Sequence, residues 1–327
     1  MRRRDFIKGI GGGIAARPLA AHAQQQPAMP VIGYLNAGGP RSPEMAVFRQ
    51  GLAEAGFVDG RNVAIEYRWA EGQYDRLPEL AAELVRKQVA VIVAIPSTAA
   101  AAAKAATATI PIVFNVAEDP VKLGLVASLA RPGGNMTGVN SHIAELGAKQ
   151  LGLLRELVST AARIGLLVNP NNANAEAVLR DVTAAASAIG GQVHVDVVRA
   201  SDGRQIESAF ATLAGNKADA LVVGADLFFY NRRIQLATLA TRHAIPTVYP
   251  VREFAEAGGL MSYGTSLAEV YRQLGVYSGR ILKGAKPADL PVVQSTKFEL
   301  VINMQTARAP GIEVSNSLQL LADEIIE

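Results

Sequence analysis

RPGGNMTGVN, residues 131–140, divides this chain. Pro132 and the Gly133-Gly134 pair stop a helix and free the backbone dihedrals. The segment from Met136 to Val139 can then run extended. Four strand-then-helix units lie upstream, and the same alternation restarts downstream. A short extended segment between two α/β halves is what a chain needs to cross from one lobe to another, leaving a cleft that closes when a few crossing residues change conformation. The competing reading is simply the next strand of one larger sheet. Working outward from the pivot, strands are expected at 31–35, 63–69, 89–95 and 112–114. Helices carrying an apolar stripe are expected from Ser42 to Ala55, from Tyr74 to Val85, over 99–108 and after Asp119-Pro120. Beyond the pivot come helices from Ile143 to Val158, from about Ala173 to Ile189 (stopped by Gly190-Gly191), over 205–213 and from about Asn231 to His243. Their strands lie at 164–168, 193–198, 220–223 and 247–249. Leu260–Tyr263, with Gly258-Gly259 before it and Gly264 after, reads as a second extended crossing, and the helix from Leu267 to Lys283 as a return to the first lobe. Short loops between alternating strands and helices predict an α/β fold of two doubly wound parallel-sheet lobes with right-handed crossovers. The expected division is 30–138 plus about 265–290 for lobe 1, and 140–263 plus about 291–327 for lobe 2. The membership of 291–327 is left open.

The 327 residues suffice for two lobes with separate cores. Half are apolar and 19% charged, a globular rather than disordered composition. The formal +3 charge belongs to the N-terminus. Without the five basic residues and one aspartate of 1–23, the 32 basic and 29 acidic residues fall to 27 and 28, so no basic stripe argues for nucleic acid. Arg3-Arg4-Asp5-Phe6-Ile7-Lys8 has the pattern of a twin-arginine export motif. A short apolar run from Gly9 to Ala16 follows, and Ala21-His22-Ala23 suits signal cleavage. That run is too short to span a bilayer, and the Ala-rich stretch from Val89 to Ala117 is broken by Pro96, Lys104 and Pro111. Cysteine is absent, which excludes disulfides, thiolate metal sites, a cysteine nucleophile and a lipid anchored on cysteine.

Ligands of open α/β sheets bind beyond the carboxyl ends of the strands, near helix N-termini. That rule selects Asn36 and Ser42 after the first strand, Ser97 and Thr98 after the third, and Asn115, Glu118 and Asp119 after the fourth. In the second half it selects the polar run from Asn169 through Asn172 to Asn174, then Asp226, then Tyr249. Ser42, Ser97, Thr98 and Asp119 serve equally as N-caps, and the asparagines as turn formers. Asp226 is less easily explained away, because a carboxylate after a buried strand must find water, a donor or a cation. Phe229 and Tyr249 also suit a core. Catalytic patterns are missing: no G-x-S-x-G elbow, no P-loop, and no metal-ligand spacing among His22, His142, His194 and His243.

Several long stretches together resemble one family. They are Gly33-Tyr34-Leu35, YRWAEGQYDRLPELAAELV (67–85), Asp119-Pro120, RPGGNMTGVN (131–140), NPNN (169–172), EAGGLMSYG (256–264), Tyr271-Arg272, ILKGAKPADLPV (281–292) and KFELVIN (297–303). The family is that of the ABC-transporter substrate-binding proteins related to the tryptophan- and tyrosine-binding lipoproteins of Gram-positive bacteria, and the likeness runs from Pro30 to Glu327. It implies a type I periplasmic binding protein with three crossings, whose hinge would include Thr137, Gly138, Val139, Ser262, Tyr263 and Gly264. It also implies a small carboxylated, often aromatic solute between the lobes. Ser97 and Thr98 would meet the carboxylate with Asn36 and Asn115 nearby, while Asn169, Asn172, Asp226 and Tyr249 close from the other lobe. No cofactor, metal or catalytic residue is implied. The partners implied are a membrane permease and its ATPase subunits, with no nucleic acid. This sequence departs from the lipoproteins in having no lipobox cysteine, so a soluble, monomeric periplasmic protein is expected. The run Asn171-Asn172-Ala173-Asn174 also differs from the family in detail. An exported α/β enzyme and a sensory module for a membrane partner are the alternatives.

Overall fold

The computed structural model describes residues 29–40, 42–141, 146–172, 174–189, 193–295, 297–308 and 311–327. The expected export signal at 1–23 lies outside the described residues, as do Ile143, Ala173 and Gly190-Gly191.

The first lobe is built from β1 (Val31–Asn36), α1 (Ser42–Glu54), β2 (Ala64–Trp69), α2 (Leu77–Arg86), β3 (Val91–Ile95), α3 (Ser97–Ala106), β4 (Ile112–Val116) and β5 (Met136–Asn140). β3 and β4 are buried along their whole length, as continuous apolar runs in a parallel sheet must be. Met45, Phe48 and Leu52 form the buried stripe of α1. No helix follows Asp119-Pro120: residues 121–124 form turns, Asp119 Oδ1 accepts from Val121 N at 2.8 Å, and Gly124 takes φ +67°.

The second lobe repeats the plan with α4 (Gly147–Leu157), β6 (Arg163–Val168), α5 (Ala175–Ala188), β7 (His194–Arg199), α6 (Gly203–Gly215), β8 (Ala220–Val223), α7 (Leu227–Asn231), α8 (Arg233–Arg242), β9 (Thr247–Tyr249), α9 (Arg252–Glu256) and β10 (Met261–Thr265). The chain then forms α10 (Leu267–Leu282), β11 (Val293–Gln294), β12 (Phe298–Asn303), α11 (Met304–Arg308), α12 (Asn316–Leu321) and β13 (Glu324–Ile326). The helix expected over about 231–243 is α8, and the short α7, which was not expected, precedes it and meets it at Arg232.

There are two sheets, not one. The first has the order β11-β5-β4-β3-β1-β2, all parallel. The second has the order β13-β12-β10-β9-β8-β6-β7, parallel except where β10 meets β12. In each half the first strand lies between the second and the third, which creates a switch point beside β1 and β3 and another beside β6 and β8. α10 packs on α1 in the first lobe so closely that a Cβ on Gly275 would stand 2.2 Å from the Phe48 carbonyl oxygen.

The boundaries differ from the expected ones. Thr137, Gly138 and Val139 are interior to β5, paired with Val113, Phe114 and Asn115, and Asn140 still pairs with Val116. Ser262, Tyr263 and Gly264 are interior to β10, paired with Val301, Leu300 and Glu299. The six expected hinge residues are therefore ladder residues, and the crossings start just beyond them, after Asn140, at Ser266 and after Ser295. Residues 291–327 are divided: Val293–Gln294 pairs with β5 in the first sheet, while β12 and β13 belong to the second. The crossings are tied to one another. Ser295 N donates to Asn140 O at 2.9 Å, Thr265 Oγ1 to Ser141 O at 2.5 Å, and Ser266 N to Lys297 O at 3.4 Å.

Candidate functional site

Both switch points open into one cavity between the lobes, about 810 Å³ when its mouth is included. Almost every wall segment follows a strand. Pro96, Ser97 and Thr98 follow β3, Asn115 ends β4 with Ala117 beyond it, and Ser141 follows β5. From the second lobe, Asn172 and Asn174 follow β6, Ala225, Asp226 and Leu227 follow β8, and Pro250 and Val251 follow β9. Tyr74, Tyr230, Phe254, Leu267 and Tyr271 supply aromatic and apolar wall.

The polar end on the first lobe is the start of α3. Pro96 occupies the N-cap position and no side chain caps the helix, so the first-turn N–H groups and the positive end of the helix dipole face the cavity. Ser97 is 9% exposed, and its hydroxyl donates to Glu118 Oε1 at 2.9 Å rather than capping its own helix. Two neighbouring polar atoms, Thr98 Oγ1 and Asn115 Oδ1, are buried without a hydrogen-bond partner. Buried polar atoms usually find partners, and those left over at a cavity wall await a ligand. Glu118 also accepts from Ala117 N at 3.1 Å, and the Asn174 side chain of the other lobe lies close enough to favour its charged form. Burial raises its pKa, opposed by these donors.

Opposite lies Asp226. Its Oδ1 accepts from Phe228 N at 2.8 Å, Phe229 N at 3.1 Å and Asn169 Nδ2 at 3.1 Å, and its Oδ2 from Asn172 Nδ2 at 2.8 Å. Burial still pushes the carboxyl above its usual range, against the pull of those donors. Tyr74 faces it from the first lobe: burial, and then the charge of Asp226, raise the phenol's pKa. Among the described residues no Lys, Arg or His lines the cavity, and none form a group able to hold a metal ion.

Of the ten expected ligand-binding residues, Ser97, Thr98, Asn115, Asn172 and Asp226 line this cavity. Asn169 stands behind, holding Asp226. Ser42 aside, whose side chain lies outside the described residues, the others stand elsewhere. Asn36 folds onto its own turn, Oδ1 accepting from Gly38 N at 2.7 Å. Ser42 starts α1. Asp119 Oδ1 accepts from turn N–H groups. Tyr249 is fully buried and stacked on Phe254, ring centroids 4.8 Å apart. Strand-end polarity alone could not separate these from true wall residues. Tyr74 and the aromatic wall were missed, while Asn174 and Glu118 were noted at strand ends without being placed among the ten; Tyr230, Phe254 and Tyr271 stand on helices, where an aromatic residue reads as core.

The comparisons with known proteins agree with this geometry. Residues 42–326 match the family model described as ABC transporter substrate binding protein. A tyrosine-binding protein of Clostridioides difficile (strain R20291) is 27% identical over 278 residues, 85% of this chain and 78% of the relative. A Streptococcus pneumonia ABC domain crystallised with L-Trp superposes with a TM-score of 0.81, at 26% identity over 91% of this chain and 99% of the other. The ligand-free, open structure of CD0873 from Clostridium difficile gives 0.64, at 25% identity and the same coverages. The chain thus superposes better on the L-Trp complex than on the ligand-free, open structure. Two doubly wound lobes, three tied crossings, an interlobe cavity and the full-length match lead to one conclusion: the chain belongs to the ABC transporter substrate binding protein family.

Proposed function

We propose that this chain is the solute receptor of an ABC importer, exported by its twin-arginine signal to the periplasm. There it binds, as a monomer, a small carboxylate bearing an amine and an apolar side chain, and an aromatic amino acid fits the cavity best. The observation that carries this is the pairing of the uncapped start of α3, with Thr98 Oγ1 and Asn115 Oδ1 unpartnered beside it, against the buried Asp226 carboxylate across the cavity. The helix start suits a carboxylate; Asp226, with no cation among the wall residues, suits an ammonium. Tyr74, Tyr230, Phe254 and Tyr271 suit an aromatic body. The tyrosine-binding relative and the L-Trp complex support the same class. A ligand touching both lobes only when they are closed stabilises the closed state, and the closed receptor delivers it to a permease driven by ATPase subunits.

A thermal-shift screen of amino acids, aromatic acids and other small carboxylates against the mature chain tests this. Stabilisation by L-tryptophan or L-tyrosine is expected, at roughly 2.7 kcal/mol for ligand at a hundred times its Kd. No shift with any amino acid overturns the assignment. Ligand recovered unchanged after denaturation distinguishes a receptor from an enzyme, which would return product.

A further inference from the structure

The lobes also meet through acids. Glu44, in the first turn of α1, is 5% exposed and accepts a hydrogen bond from the Tyr230 hydroxyl of α7. A residue of the first lobe and one of the second thus share a buried contact. The Tyr230 ring stands edge-on to Phe254 of α9, centroids 6.1 Å apart. Beside Phe254, Glu253 has its Oε2 buried with no hydrogen-bond partner. The one cation of its own helix, Arg252, does not bond it, because that guanidinium is shared among Glu256 at 2.8 Å, Glu299 at 3.1 Å and Glu324. A charged carboxylate oxygen is costly to bury without donor or cation, and more so with a second acid opposite.

We propose that the lobes close with uptake of a proton, held by Glu253 against Glu44 across the lobe boundary, so that ligand affinity is coupled to pH. This rests on the reading of the chain as a receptor that closes on its ligand. The charged and titratable groups around Glu253 are Glu44 from α1, Tyr230 from α7, and Arg252 and Glu256 from α9, with Arg233 of α8 over the Tyr230 ring at 5.0 Å. Burial first, then the charges of Glu44 and Glu256, push the Glu253 carboxyl up to about 7, against a bond from its own backbone and the pull of Arg252. Opening hydrates the group and returns it toward the ordinary 4.5. Between these values the closed form holds more protons than the open form. Closure is therefore most favourable below the window, weakens as pH rises through it, and levels off above about 7.

The test is isothermal titration of L-tryptophan into the wild-type chain and Glu253→Gln from about pH 5 to about pH 8, with proton uptake read near pH 7 from two buffers of different ionisation enthalpy. Glu118 and Asp226, also raised by burial, give both proteins the same background slope. The wild type is expected to lose well over tenfold more affinity than the variant across the range, because most of the window between 4.5 and about 7 lies inside it. Its uptake on binding exceeds the variant's. Parallel profiles overturn the proposal. Should L-tryptophan bind neither protein, the ligand reading fails separately, and small-angle scattering of the ligand-free chains decides: contraction of the wild type alone on acidification supports proton-linked closure, and equal radii overturn it. Should Glu253→Gln not fold, Glu44→Gln takes its place, since it removes the opposing charge while its amide oxygen still accepts from Tyr230. A flatter profile supports the coupling and an unchanged one overturns it.

Discussion

Four donors hold the Asp226 oxygens in place, while burial raises its pKa against their pull. An ammonium arriving in the cavity would supply the counter-charge that the wall lacks. Asp226→Asn is expected to weaken binding of an amino acid by more than tenfold, about 1.4 kcal/mol, by isothermal titration. The asparagine oxygen still accepts from the start of α7, but its amide nitrogen then faces the donating Asn172 Nδ2, so the empty protein also loses some stability and affinity per folded molecule is the readout. Unaltered affinity would remove Asp226 from the site. At this scale the sequence was informative where burial left one explanation. A carboxylate after a buried strand needs a partner, and Asp226 has several. It was uninformative where a small polar residue had two uses: Asn36 and Asp119 aim an oxygen at their own turns (although Asn36 Nδ2 has no partner), Thr98 and Asn115 do not, and the four look alike in a sequence.

Among the elements, α3 is the one whose start is left free for a guest. Changing Ser97 and Thr98 together to Ala should impair carboxylate binding by about tenfold or more, since a hydrogen bond to a charged group contributes about 1.5–3 kcal/mol. The melting temperature of the empty protein should fall only modestly, because neither hydroxyl caps the helix and the one bond lost is that of Ser97 to Glu118. A large loss of empty-protein stability would instead mean that the pair is structural. β10 makes a different demand. A Cβ on Gly264 would lie 1.7 Å from the Pro250 carbonyl oxygen, so Gly264→Ala should destabilise the chain by about 1–3 kcal/mol in denaturant titration. A neutral outcome would show that β10 can shift away from Pro250. Continuous apolar runs made β3 and β8 legible, and apolar spacing did the same for α1 and α2. The short α9 was not expected, since five residues carry too little periodicity. The crossings were misplaced by a few residues because glycine-rich strands resemble linkers until their ladders are seen.

For the molecule as a whole, contacts between lobes matter more than either lobe. Glu118 reaches Asn174, Tyr74 faces Asp226, and Tyr230 donates to Glu44, all across the gap. The two-sheet division was legible from the alternation of strand and helix on either side of residues 131–140. The cross-gap contacts were not, because they join residues far apart in the chain. If the lobes separate without a guest, the radius of gyration measured by small-angle scattering should fall when a binding amino acid is added, and an unchanged radius would mean that the lobes do not move. The central claim is that one cavity reads an ammonium and a carboxylate at once, from opposite lobes. The most direct measurement is isothermal titration of L-tryptophan beside the same molecule without its amine, 3-(indol-3-yl)propionate. The account predicts one L-tryptophan site per chain and at least tenfold weaker binding of the deaminated acid; equal affinity for the two, or no binding of either, would contradict it.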